Sequence, residues 1–187
     1  MAKQLEYGTT AKAFHWIIVA LLVIQFPLGW LMPDIHGGMT PGVGMTWHIS
    51  IGSVIFILII ARFVWRLTHS VAPEGSLPPW QRLTSEAVYW LLYVLVMLTT
   101  LSGWLFASAR GWAISWFFAL PMPMLTSGDR ALVRALDGWH QVFEWTLLIA
   151  ISVHVGAVLV HLFYYRDGVT QRMLPGTVND WRRSKPY

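Results

Sequence analysis

The 187-residue chain contains no cysteine. That absence excludes a disulfide framework, a thiolate nucleophile, cysteine-ligated zinc, an iron–sulfur cluster and covalent cofactor attachment through C-x-x-C-H. Charge is also scarce: Asp, Glu, Lys and Arg make up 12% of the residues, against about 25% in an ordinary soluble domain. So little charge cannot coat a water-facing surface, which argues against a soluble enzyme, a nucleic-acid-binding module and a disordered tail. What the chain does have is apolar, with 56% hydrophobic residues and twelve tryptophans. In such a chain the formal net charge of +4 reads as a signal of membrane orientation rather than of affinity for nucleic acid.

A bilayer core about 30 Å thick is crossed by about 20 apolar residues in helical form. Four stretches meet that length, 14–32, 47–65, 87–106 and 140–165. None shows the alternation with turn signals of a membrane strand. The expected fold is all-α, an integral membrane four-helix bundle forming one membrane domain over 1–187. A fifth apolar segment, 111–125, is short and interrupted by Pro121 and Pro123, so it is expected to lie in the interface rather than to span. The first run follows Lys3 and Lys12 as a secretory signal would, but it is long, contains Gln25 and lacks a small-x-small site, so it is retained. Thr84 and Asp137 are the expected N-caps of the third and fourth helices.

With the N-terminus inside, Lys3, Lys12, Arg62, Arg66, Arg82, Arg166, Arg172, Arg182, Arg183 and Lys185 collect on the cytoplasmic face, and Arg110, Arg130 and Arg134 on the other. Ten against three fits the positive-inside rule and places both termini in the cytoplasm. Trp16, Trp30, Trp47, Trp65, Trp90, Trp104 and Trp139 fall near span ends, where an indole prefers the membrane interface. The glycine-rich loop 37–44 follows no strand and reads as an extracytoplasmic turn.

Ionisable residues inside spans are costly and usually functional, and four histidines lie there: His15, His48, His140 and His154. Each alone is equally well an interior histidine satisfied by a neighbouring carbonyl. Their positions together point elsewhere. His140 and His154 share one helix, about 40° apart in direction and roughly 21 Å apart along its axis. His48 matches the outer depth and His15 the inner one, giving the pairs His48/His140 and His15/His154. Two apposed imidazoles at each of two depths suit bis-histidine haem iron. Zinc fits less well, because a closed zinc site takes four ligands, and a proton relay would ordinarily include intramembrane carboxylates. Glu144, one turn from His140, either orients that ring or faces interfacial water. Gly52, Gly103 and Gly156 leave room for a bulky group near the helix axes or for close helix packing.

With Phe14-His15-Trp16, Trp47-His48, Trp139-His140 and His154 in these positions, the chain resembles the bacterial cytochrome b561 family over nearly its whole length. The run 62–67 and the later Pro78-Pro79-Trp80 are also similar to that family. The resemblance implies two b-type haems in a bacterial inner membrane, with His15, His48, His140 and His154 as axial ligands to the iron. It further implies electron transfer between an extracytoplasmic donor and membrane quinone, one form of which is superoxide oxidation coupled to ubiquinone reduction. The family often carries a histidine early in the third helix, where this chain has Tyr89 and Trp90, so nothing that depends on that position is carried over.

His161, seven residues beyond His154, is either a hydrogen-bond donor to a quinone carbonyl or haem propionate, or an interfacial histidine beside Arg166. Arg110, Arg130 and Arg134 would bind propionates or steer a small anion such as superoxide, unless Asp129 and Asp137 neutralise them locally. His36 and His69 are expected to be solvated. Membrane lipid, ubiquinone and a small external donor are the expected partners. Two other readings stay open: the haem-bearing membrane subunit of a larger dehydrogenase or hydrogenase, and a haem-free proton or ion transporter.

Overall fold

The computed structural model describes residues 7–32, 41–69, 71, 78–167 and 169–175. His36, residues 37–40 of the loop 37–44, and the basic residues Lys3, Arg182, Arg183 and Lys185 lie outside them. Four helices carry the fold: α1 (Thr9–Trp30), α2 (Val43–Thr68), α3 (Pro79–Ala109) and α4 (Arg130–Leu159). All four are long and apolar enough to cross a membrane. Helices satisfy their backbone groups internally, as a spanning segment in lipid must.

α1 packs on α2, α2 on α3 and α3 on α4. The bundle closes where Trp30, at the end of α1, stacks on Trp145 of α4 at 6.1 Å and donates from Nε1 to Glu144 Oε1 at 2.8 Å. Gly29 near the end of α1 meets His48 near the start of α2, and Gly103 near the end of α3 meets His140 in α4, so the helices alternate in direction. Ile18, Ile55, Tyr93, Val96 and Leu147 belong to the central core. Leu147 is 1% exposed and Ile149, two residues on, is 63% exposed. One face of α4 is therefore core, and the other is an apolar surface suited to lipid.

All four helices begin before their apolar runs, and at α3 and α4 this displaces the expected caps. α3 starts at Pro79, because proline has its φ preset for the first helical position and no N–H to leave unpaired there. Thr84 is thus in the second turn, donating to the Trp80 carbonyl at 2.8 Å, and is not a cap. α4 is capped by Asp129, not Asp137. The Asp129 side chain accepts from Ala131 N at 3.0 Å and Leu132 N at 2.9 Å. Asp137 lies two turns inside the helix, where it accepts from Gln141 at 3.3 Å.

Between α3 and α4 the chain forms a small hairpin on the end of the bundle. α3 closes with Gly111 in the left-handed region at φ +69, Gly111 N donating to Ser108 O at 2.9 Å and Trp112 N to Ala107 O at 3.2 Å. That pair of bonds is a Schellman cap, which favours glycine at this position. β1 (Ser115–Trp116) pairs antiparallel with β2 (Leu120–Pro121). Phe117 and Phe118 turn the corner at φ 47 and 64, a region uncommon for residues other than glycine. Helix serines hold the segment down. Trp116 Nε1 donates to Ser53 Oγ at 3.1 Å, Phe117 N to Ser50 Oγ at 2.9 Å, and Leu125 N to Ser108 Oγ at 3.1 Å. Beneath them Trp112 and Ile114 pack with Ile49 and Ala107.

At the opposite end α4 runs into a π-helical turn, Val160–Tyr165. The chain then returns so that Trp16 Nε1 donates to the Met173 carbonyl at 2.9 Å.

Candidate functional site

A cavity of about 500 Å³ opens inside the bundle below the hairpin, with His48 and His140 in its wall. That volume lies within the range of small-molecule and cofactor sites, about 300–1,000 Å³. The two imidazole centroids are 6.4 Å apart with the ring planes nearly perpendicular, at 87°. A metal about 2 Å from one nitrogen of each ring, plus the short step from each nitrogen to its ring centre, requires nearly this separation.

The His140 ring is oriented from behind. Its Nδ1 lies 2.9 Å from the Thr99 carbonyl, which can only accept, so Nδ1 is the donor. Ser102 Oγ donates to the same carbonyl at 3.0 Å and sits 3.2 Å from Nδ1. In a neutral ring this leaves the Nε2 lone pair available, the arrangement usual for a ligating histidine. His48 has a buried Nδ1 without a hydrogen-bond partner, and Gln25 Nε2 ties its peptide carbonyl to α1 at 2.9 Å.

Glycines make room for both rings. A Cβ on Gly103 would lie 2.8 Å from His140 Cε1, and one on Gly29 would lie 3.1 Å from His48 Cε1. Gly52 is close to Gln25 instead, at 3.2 Å, and Gly156 has nothing within 4 Å. Among the described residues no group of three or more His, Asp or Glu converges on one metal position. Two facing imidazoles beside a large cavity therefore suit a metal whose remaining ligands come from a macrocycle.

The second pair sits in different company. His154 is close enough to act electrostatically on His15, and Arg62 acts on both. Arg62 Nη1 donates to His15 Nδ1 at 3.2 Å, and its guanidinium lies 5.4 Å from the centroid of the Tyr93 ring. A neutral His15 so bonded carries its proton on Nε2. For that nitrogen to take a metal, it must lose the proton or Arg62 must release Nδ1.

The remaining residues scatter. Arg110 lines the cavity with its guanidinium 4.6 Å from the Trp112 ring centroid. Arg130 and Arg134 are exposed in the first turns of α4, outside that wall. Glu144 is in the cavity wall but bonded to Trp30 rather than to His140. His161 is paired through Nδ1 with Asp167 at 2.6 Å. His69 is exposed and stacks on Trp65 at 3.8 Å. Gly29, Thr99 and Ser102 were not singled out from sequence. Only the small residue just before the end of α1 and the hydroxyl-rich run 99–102 hint at them.

Fold and site together define a four-helix membrane bundle of the cytochrome b class. Residues 6–176 match the family model described as prokaryotic cytochrome b561, and the chain belongs to that family. It is similar to Cytochrome b561 homolog 2 of Escherichia coli (strain K12), with 29% identity over 94% of this chain and 95% of the relative. A Yersinia pestis protein named Probable superoxide oxidase CybB is 24% identical over 91% of this chain and 96% of its own length. Cytochrome b561 homolog 1 of Escherichia coli (strain K12) is 22% identical, covering 91% and 97%. The chain is thus a multi-pass bacterial membrane protein of a family that binds b-type haem.

Proposed function

We propose that the protein is a di-haem cytochrome b of the bacterial inner membrane, folded as a single membrane domain, that passes electrons from an extracytoplasmic donor to ubiquinone. His48 and His140 hold one haem b, and His15 and His154 hold the other. The observation that carries this reading is the 6.4 Å separation of the His48 and His140 rings beside a 500 Å³ cavity. Haem iron between two imidazoles supplies a one-electron couple with both axial positions filled.

The chain's own residues bind and orient. Thr99 and Ser102 fix the His140 tautomer, and Gly29 and Gly103 leave both rings space to stand edge-on to the cavity. Arg110 is positioned in the wall to pair with a propionate. Arg130 and Arg134, exposed at the same end, attract a small anionic donor. Superoxide fits that description, in keeping with the name of the 24% identical relative. The basic residues at the His15–His154 end orient that end to the cytoplasm. There His161, held by Asp167 at 2.6 Å, is available through Nε2 to a quinone carbonyl or a propionate.

A reduced-minus-oxidised spectrum of the purified protein tests the core of the reading. Low-spin b-type bands are expected, one component lost in His48→Ala and the other in His154→Ala. Absence of those bands would refute it. Stopped-flow mixing with superoxide, followed by ubiquinone, tests the donor and acceptor. Haems that stay oxidised would remove superoxide as donor and leave the di-haem reading standing.

A further inference from the structure

The two histidine layers sit in opposite electrostatic surroundings. Glu144 and Asp137 act on His140, and both line the cavity wall together with one guanidinium, that of Arg110. Among the described residues, the wall of that cavity thus carries two carboxylates and one guanidinium, while Arg130 and Arg134 stand outside it. At the other layer Arg62 is the charged neighbour, one hydrogen bond from His15 and within reach of His154. Its guanidinium faces the Tyr93 ring of α3, itself 5% exposed. Arg62 takes no part in the His161–Asp167 ion pair.

A fixed positive charge stabilises an added electron nearby, and a fixed negative charge disfavours one. The effect is strongest where little water screens it. From this asymmetry we infer that Arg62 and Glu144 act as a pair of positioning charges that set the direction of electron flow, making the His15–His154 layer the stronger electron acceptor. One electron leaves the outer layer for each one that the inner layer gains, and no proton need move with it. The difference between the two layers then favours flow from the donor side toward the cytoplasmic side, against the pull of an inside-negative membrane potential. This inference rests on the di-haem reading and adds to it the residues that decide direction.

The test is a potentiometric titration of the purified, haem-loaded protein in detergent, with the two components assigned through His48→Ala, which retains only the inner one. Arg62→Gln is expected to lower the inner component's affinity for an electron at least tenfold, 59 mV for a one-electron couple, and to leave the outer component nearly unmoved. Arg62→Lys keeps the charge and is expected to stay close to wild type. Glu144→Gln is expected to move the outer component severalfold the other way. An unchanged or raised inner potential in Arg62→Gln would overturn the inference, the rise because it would mean that the arginine stabilises a deprotonated His15. Should both Arg62 variants lose the inner component, Glu144→Gln decides: an unmoved outer potential overturns the inference as well. Failure of His48→Ala to remove any component would instead refute the haem assignment itself.

Discussion

At one end of the bundle His140 donates its Nδ1 proton to the Thr99 carbonyl. At the other, His15 receives a hydrogen bond at the same atom from Arg62. The same kind of side chain is prepared in two different ways. The His48–His140 end is built around a 500 Å³ cavity, with glycines beside the rings and a hairpin tied over the top by Ser50, Ser53 and Ser108. The His15–His154 end is built around charge, with Arg62 held between an imidazole and the Tyr93 ring. Position in a sequence can therefore pair histidines without saying what each pair is made to do. That is decided by the neighbours on the other helices.

Several substitutions break or sharpen the contrast. The largest effect is expected from His140→Ala, which removes the component at the spacious end entirely while the other persists, read by the b-band amplitude. Next is Gly103→Ala. Its new methyl group meets the His140 ring at 2.8 Å, so the ring must shift, and overpacking of this kind costs about 1–3 kcal/mol. Haem retention on dilution in detergent should fall at that end alone. Gly111→Ala forces an L-residue into φ +69 and should destabilise by roughly 1–2 kcal/mol, seen as a lower thermal midpoint. Asp129→Ala removes the α4 cap and should cost about 0.5–2 kcal/mol, whereas Asp137→Ala, lacking any capping role, should change the same midpoint less. The smallest effect is expected from Gly156→Ala, whose Cβ meets nothing within 4 Å. A surface change of this sort usually stays within about 0.5 kcal/mol. If it released haem as Gly103→Ala does, the distinction between fitted and incidental glycines would fail.

The bundle was legible because lipid imposes a simple rule: each crossing must be an apolar run of the right length. The approach of His48 to His140 at 6.4 Å was legible because both histidines sit at the same depth near the outer ends of their helices. Helix starts were harder to read. The first turns of α4 carry Arg130, Arg134 and Asp137, so a search for apolar residues passes over them and takes an inner aspartate for the cap. Long-range partners left no trace in the sequence. Trp30 and Glu144 are 114 residues apart, and each reads locally as an interfacial residue. The glycines illustrate the same limit. Gly29, Gly103 and Gly156 look alike in sequence, and only the facing helix shows that the first two accommodate a ring and the third does not.

α4 contributes one histidine to each layer, and it is the last of the four helices to emerge from the ribosome. Until it inserts, the membrane holds a three-helix intermediate in which His15 and His48 face no imidazole partner. Both layers are then completed by a single insertion event rather than in turn. A chain cut short ahead of α4 would be left with two solitary histidines instead of one finished layer. On the di-haem reading, neither centre can form before α4 is in the membrane.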